Sequence, residues 1–155
     1  MDDFSDIVGS DRVLAGLAVP NKKALFQQLA AVAARESGLD AKLIVERLTE
    51  RERLGSTGFG GGIAIPHGKI DGLSHVVGAF ARLATPIDYQ AIDDMPVDLV
   101  FLLLSPPDAG VEHLKALSRV SRRLRDRGFL AKLRGAGSPD ALYALFAAND
   151  TRDAA

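Results

Sequence analysis

The run Val97 to Leu104, VDLVFLLL, constrains the fold more than any other part of the chain. A strand so continuously apolar has to be central and covered on both faces, since a half-exposed strand would alternate. Its uninterrupted stretch, Leu99 to Leu104, falls far short of the roughly 20 residues needed to cross a bilayer. Helices must therefore lie on either side of the sheet that holds it.

The rest of the sequence supplies them. Val13 to Val19 and Val76 to Leu83 read as further strands, with Thr85 to Pro96 as a polar turn before the central one. After Pro20, Asn21 offers an N-cap, and Leu25, Leu29, Val32 and Ala33 recur at helical spacing up to a stop at Gly38. A second helix follows the Asp40 cap with Leu43, Ile44 and Leu48. Past Pro106 and Pro107, the residues Val111, Leu114, Leu117, Val120 and Leu124 trace a long amphipathic helix whose apolar stripe leaves His113 aside. A shorter helix, Phe129 to Leu133, precedes a last one capped by Ser138, with Pro139 in its first turn, that runs to about Ala148. Strands flanked by helices in this way predict an α/β protein, a three-layer sandwich with helices on both faces of a small sheet.

A length of 155 residues suits one domain over 1–155, with a core about 11–148 and short tails. Lys and Arg number 19 against 20 Asp and Glu, so no net field draws the chain to nucleic acid or an anionic membrane. The absence of cysteine excludes disulfides, thiol nucleophiles and cysteine-ligated metal centres, and fits a reducing compartment. The acidic start MDDFSDIVGS lacks the regions of a signal peptide, so the expected location is the cytoplasm without membrane insertion.

Chemistry without cysteine falls to the histidines, hydroxyls and carboxylates. GSTGFGGG, Gly55 to Gly62, carries five glycines and reads as a loop; it leads directly to His67, set between Pro66 and Gly68. Pro66 fixes its own φ and Gly68 adds no bulk, so the imidazole is expected on a defined bend with open space beside it. Near neutral pH such a ring offers one nitrogen as a nucleophile while a carbonyl anchors the other, which suits reversible capture of a phosphoryl group. Phosphoryl transfer also needs positive charge and hydrogen-bond donors. Arg51 precedes the loop, Ser56 and Thr57 lie inside it with its uncovered amides, and His113 stands near the start of the long helix.

Each of these features also has an ordinary structural reading, as a turn histidine, a flexible connection or a solvated charged face. The loop is no Walker motif, because Gly61 follows Gly60 where a Lys-Ser/Thr pair would be needed. His67, His113 and Asp71 lack a compact metal-ligand spacing, and His75 reads as structural or solvated. Lys115, Arg119, Arg122, Arg123, Arg125 and Arg127 form a solvated face or, as the second choice, a docking stripe for an acidic partner. A hydrolase built on Ser56 or Ser74 lacks the G-x-S-x-G elbow.

The segment RERLGSTGFGGGIAIPHGK, Arg51 to Lys69, resembles the active-site segment of mannitol/fructose-type enzyme IIA domains of the bacterial phosphoenolpyruvate-dependent phosphotransferase system. TPIDYQAIDDMPVDLVFLLLSP, EHLKALSRVSRRLRD and SPDALYALF extend the similarity, toward the nitrogen-regulatory branch, from about Asp11 to Phe146. The resemblance implies a three-layer αβα fold with a mixed sheet and a phosphorylated histidine at His67. Arg51 and His113 would complete the pocket; beside them, the residues themselves offer Ser56, Thr57 and Gly68 around the phosphate, with neither metal nor cofactor expected. The implied partners are a histidine-containing phosphocarrier protein and regulated targets such as kinases or ion transporters. The alternative is a sugar-specific component that passes phosphate to a IIB domain for fructose- or mannitol-type uptake.

Overall fold

The computed structural model describes Phe4 and residues 6–148. The other residues of the acidic start, and the tail expected beyond Ala148, lie outside this range. Strand β1 (Val13–Leu17) follows a 3-10 turn at Ser10–Arg12 and leads to helices α1 (Lys22–Ser37) and α2 (Ala41–Arg53). Three short strands come next, β2 (Gly58–Gly60), β3 (Ile63–Ala64) and β4 (His67–Lys69), then the long pair β5 (Val77–Ile87) and β6 (Val97–Ser105). Helices α3 (Gly110–Arg123), α4 (Arg127–Gly135) and α5 (Pro139–Ala147) close the chain.

The expected caps are in place. Asn21 accepts a hydrogen bond from the Ala24 amide at 2.9 Å, and α1 ends where Gly38 takes φ 75°, a left-handed conformation that glycine adopts without strain. Ser138 caps α5 with Pro139 in its first turn. Asp126, which the sequence reading passed over, caps α4 through the amides of Gly128 and Phe129.

The sheet is mixed. β6 runs antiparallel to β5 on one edge and parallel to β3 and β4 on the other, while β1 lies parallel to β5 and β2 antiparallel to β3. Alternate residues of β6 serve opposite layers: Val100, Leu102 and Leu104 pack against α1 and α2, whereas Leu99, Phe101 and Leu103 face α3 to α5. All six are fully buried, so the sheet carries a core on each face and forms the middle of a three-layer αβα sandwich.

Four expectations change. First, strand structure extends into the glycine-rich loop as β2, which pairs with β3, and a Cβ at Gly58 would come within 2.7 Å of the Ala91 Cβ. Glycine there permits close approach rather than looseness. Second, β5 continues to Ile87, past the expected turn at Thr85, where Ile87 pairs with Val97. Third, packing begins before residue 11: Phe4, Ile7 and Val8 are buried in the α3–α5 layer, and the Arg12 guanidinium binds the carbonyls of Ile7 and Gly78.

The fourth change concerns α3. Its inward face is His113, Ala116 and Val120, whereas Val111 and Leu114 are 64% and 65% exposed. His113 was expected off the buried stripe and stands on it. Leucine spacing misplaced the inward face because a polar side chain with a buried partner, Ser105, occupies the inward position.

Candidate active site

His67 opens β4, where it pairs in register with Leu103 of β6. Pro66 separates β3 from β4, so the two short strands share one edge of β6 with a break between them. His67 is 7% exposed. It has open space beside it, as expected, because it lines an open hollow of about 520 Å³, but it sits in the wall of that hollow at the start of a strand.

Two contacts define its chemistry. Nδ1 lies 2.7 Å from the Ile65 carbonyl oxygen, which can only accept, so Nδ1 carries the proton. Nε2 then holds the lone pair, and it accepts the Nε–H of Arg51 at 3.3 Å. Burial pushes the His67 pKa below its ordinary value; the Ile65 carbonyl opposes this, and the Arg51 guanidinium adds to the lowering. The ring is thus neutral at neutral pH, with its free electron pair at Nε2.

Arg51 comes from the last turn of α2, on one face of the sheet, and its Nη1 donates to the Gly55 carbonyl at 2.9 Å. His113 comes from the first turn of α3, on the other face, with its ring centroid 5.7 Å from that of His67. Its Nδ1 lies 2.7 Å from the Ser105 hydroxyl. Burial lowers the His113 pKa, and His67 and Lys69 nearby lower it further. Arg51, Gly68, Lys69 and His113 line the hollow together with His67. Two outer layers therefore meet at the edge strand of the middle one, around a neutral nucleophilic nitrogen flanked by positive charge.

The profile of the family described as phosphoenolpyruvate-dependent sugar phosphotransferase system, EIIA 2, matches residues 6–149. The chain belongs to this family. Among relatives of this EIIA domain, a nitrogen regulatory protein of Bradyrhizobium diazoefficiens is 47% identical over 144 residues, covering 93% of this chain and 94% of that one. A fructose-specific EIIA component of Haloferax volcanii is 42% identical over 119 residues, covering 77% and 76%. The crystal structure of the nitrogen regulatory protein IIA-Ntr from Neisseria meningitidis superposes with a TM-score of 0.87 at 35% identity, covering 92% of this chain and 98% of that one.

The other residues expected at the site of this EIIA domain divide. Gly68 lines the hollow, where a Cβ would meet the Arg47 side chain only at 3.9 Å. Ser56 and Thr57 do not line it. Thr57 is fully buried, with its hydroxyl shared between Glu52 and Tyr89, and the Ser56 hydroxyl accepts the Gly58 amide at 3.1 Å. These hydroxyls shape the loop instead of facing the hollow.

Sequence reasoning missed the network that holds them. Glu52 takes the Thr57 amide at 3.1 Å and Lys22 at 2.9 Å, and Lys22 also lies over the Tyr89 ring. Burial pushes the Glu52 carboxyl up, but hydrogen bonds from Thr57, Lys22 and Ser56 outweigh it and leave the group below its ordinary value. Burial, reinforced by Glu52, raises the Tyr89 phenol. Only the position of Glu52 beside Arg51 could have drawn attention to it. Among the described residues no helix is long and apolar enough to cross a membrane, and no three His, Asp or Glu side chains converge to hold a metal ion.

Proposed function

We propose that this chain is a cytoplasmic phosphocarrier of the nitrogen-regulatory type, acting as one domain, which accepts a phosphoryl group on Nε2 of His67 and controls partner proteins through that modification. The observation that carries this reading is the pair of contacts on His67: Nδ1–H held by Ile65, Nε2 met by Arg51. The lone pair of Nε2 forms the new N–P bond as the N–P bond of a phosphohistidine on the carrier protein breaks, and the donor nitrogen keeps the electron pair. The proton stays on Nδ1, donated to the Ile65 carbonyl throughout, so no proton moves within this chain. Arg51 stabilises the charge on the transferring oxygens, and His113 lies beside them.

The rim of the hollow supports a protein as donor. Leu54 lies in the rim and is 85% exposed, and Val111 and Leu114 project from α3 near His113, so apolar surface is available to bury against another macromolecule. A phosphoryl group on His67 would then bring about −1.5 to −2 charges to a face built of leucine, valine and arginine, which makes the two states distinguishable to a target such as a kinase or ion transporter.

Similarity to the Bradyrhizobium and Neisseria proteins supports the regulatory reading. The fructose-specific relative supports the second one, passage of phosphate to a IIB domain. Incubation with phosphoenolpyruvate, the first enzyme and the carrier, followed by intact-mass measurement, should show one phosphoryl group on wild type and none on His67→Ala. Labelling of His67→Ala equal to wild type refutes the assignment. Rapid discharge of the phosphoprotein onto a IIB domain favours the transport reading, and phosphate-dependent target binding without discharge favours regulation.

A further inference from the structure

We propose that Ser105 is a positioning residue, whose buried hydroxyl donates to Nδ1 of His113 and thereby keeps the proton of that ring on Nε2, making His113 a hydrogen-bond donor to the phosphoryl group. The inference rests on phosphoryl transfer at His67 as proposed above. Ser105 ends β6, is fully buried and does not line the hollow. It stands two residues beyond Leu103, the register partner of His67, and so points to the same face of the sheet, where α3 brings His113.

The direction of the 2.7 Å hydrogen bond follows from counting hydrogens. A serine hydroxyl has one hydrogen, and a neutral imidazole has one ring proton. If Nδ1–H donated to the hydroxyl, the hydroxyl hydrogen would need another acceptor, and Oγ of Ser105 has no other partner among the described residues. It would remain a buried, unsatisfied donor. If the hydroxyl donates to Nδ1, every hydrogen is used and the ring proton sits on Nε2. Burial and the proximity of His67 and Lys69 keep the ring neutral, so the choice between tautomers is a real one.

The two histidines then hold opposite tautomers. The Ile65 carbonyl leaves His67 with a lone pair on Nε2, and the Ser105 hydroxyl leaves His113 with a proton on Nε2. One ring attacks phosphorus and the other donates to a phosphoryl oxygen. The reverse tautomer of His113 would turn a lone pair toward an anionic oxygen, which repels it.

The test is long-range proton–nitrogen NMR of the full chain at neutral pH, paired with transfer rates from phosphorylated carrier. Wild type should show His113 protonated at Nε2 and not at Nδ1. In Ser105→Ala both tautomers should appear and transfer should slow on the order of tenfold, while in a His113→Ala background the same substitution should change the rate less than twofold. A wild-type spectrum with the proton on Nδ1 overturns the proposal even if the alanine variant does not fold. So does an unchanged His113 tautomer in Ser105→Ala, or an equal slowing in the His113→Ala background. The spectrum needs no phosphoryl donor, so failure of the phosphocarrier reading is recognised separately, as a wild-type chain that takes up no phosphoryl group.

Discussion

Replacing Arg51 by alanine removes the guanidinium that donates to Nε2 of His67 at 3.3 Å. In the transition state that nitrogen faces a phosphorus whose three peripheral oxygens carry the charge, so the guanidinium stands about 4 Å from it. Two unit charges at that separation interact by about 4 kcal/mol at an effective dielectric constant near 20, and by about 1 kcal/mol in bulk water. Arg51 is half-buried at the wall of an open hollow, which places its contribution between the two, near ~2 kcal/mol. At about 1.36 kcal/mol per factor of ten, kcat/KM for phosphoryl uptake should fall roughly thirtyfold. Quenched-flow transfer from labelled phosphocarrier, held well below KM, measures this directly. Arg51→Lys keeps the charge but not the planar fork, and should recover part of the loss. The Gly55 carbonyl also loses a donor, so urea unfolding must be run alongside; about 1 kcal/mol of destabilisation is expected from that bond. A folded Arg51→Ala protein with kcat/KM within threefold of wild type would refute the electrostatic role.

Because burial lowers the His67 pKa from its ordinary 6.5, the nucleophilic neutral ring should persist below that pH, and uptake should decline only at more acidic values; an acid limb at or above 6.5 contradicts the described environment. The same shift means that the unfolded chain takes up protons on His67 and His113 first, so stability should be full above about 6.5 and fall as pH drops through the lower folded values, which pH-dependent unfolding will show. Glu52→Ala should cost about 2–3 kcal/mol in urea unfolding, since it strands Lys22 and the Thr57 amide, and a change under 0.5 kcal/mol would dismiss the network as ornament. Leu114→Glu lies on an exposed position and should alter stability by less than about 0.5 kcal/mol while raising KM for the carrier several-fold; an unchanged KM would remove α3 from the docking face.

The layers were legible because β6 is apolar at consecutive positions, and only burial on both faces explains such a run. Caps at Asn21, Asp40 and Ser138 were legible because short polar side chains at helix starts have one dominant use. His67, Arg51 and Gly68 were legible as neighbours of the glycine segment. What the residues did not disclose depends on contacts distant in sequence. Thr57 looked like a phosphate donor because its hydroxyl lies in a glycine-rich loop; Tyr89, 32 positions away, and Glu52 claim it instead. His113 read as lying off the apolar stripe, free to face solvent or a site, because Val111, Leu114 and Leu117 traced that stripe, and its inward direction comes from Ser105, which sequence spacing cannot assign as its partner.

The strand that determines the layers also sets the geometry of the site. Because Leu103 pairs with His67, β6 fixes where the imidazole leaves the sheet, and because Ser105 follows two residues later, it fixes where a hydroxyl meets α3. Arg51 and His113 then reach His67 from opposite layers only because β4 is an edge strand with one sheet neighbour, β6, among the described elements. A one-residue slip of β6 would turn Ser105 toward the wrong layer, away from α3 and into the packing of α1 and α2, and would change the residue paired with His67. The deep apolar packing of Leu99 to Leu104 on both faces is what makes that slip costly, so the least reactive segment of the chain keeps the two tautomers in place.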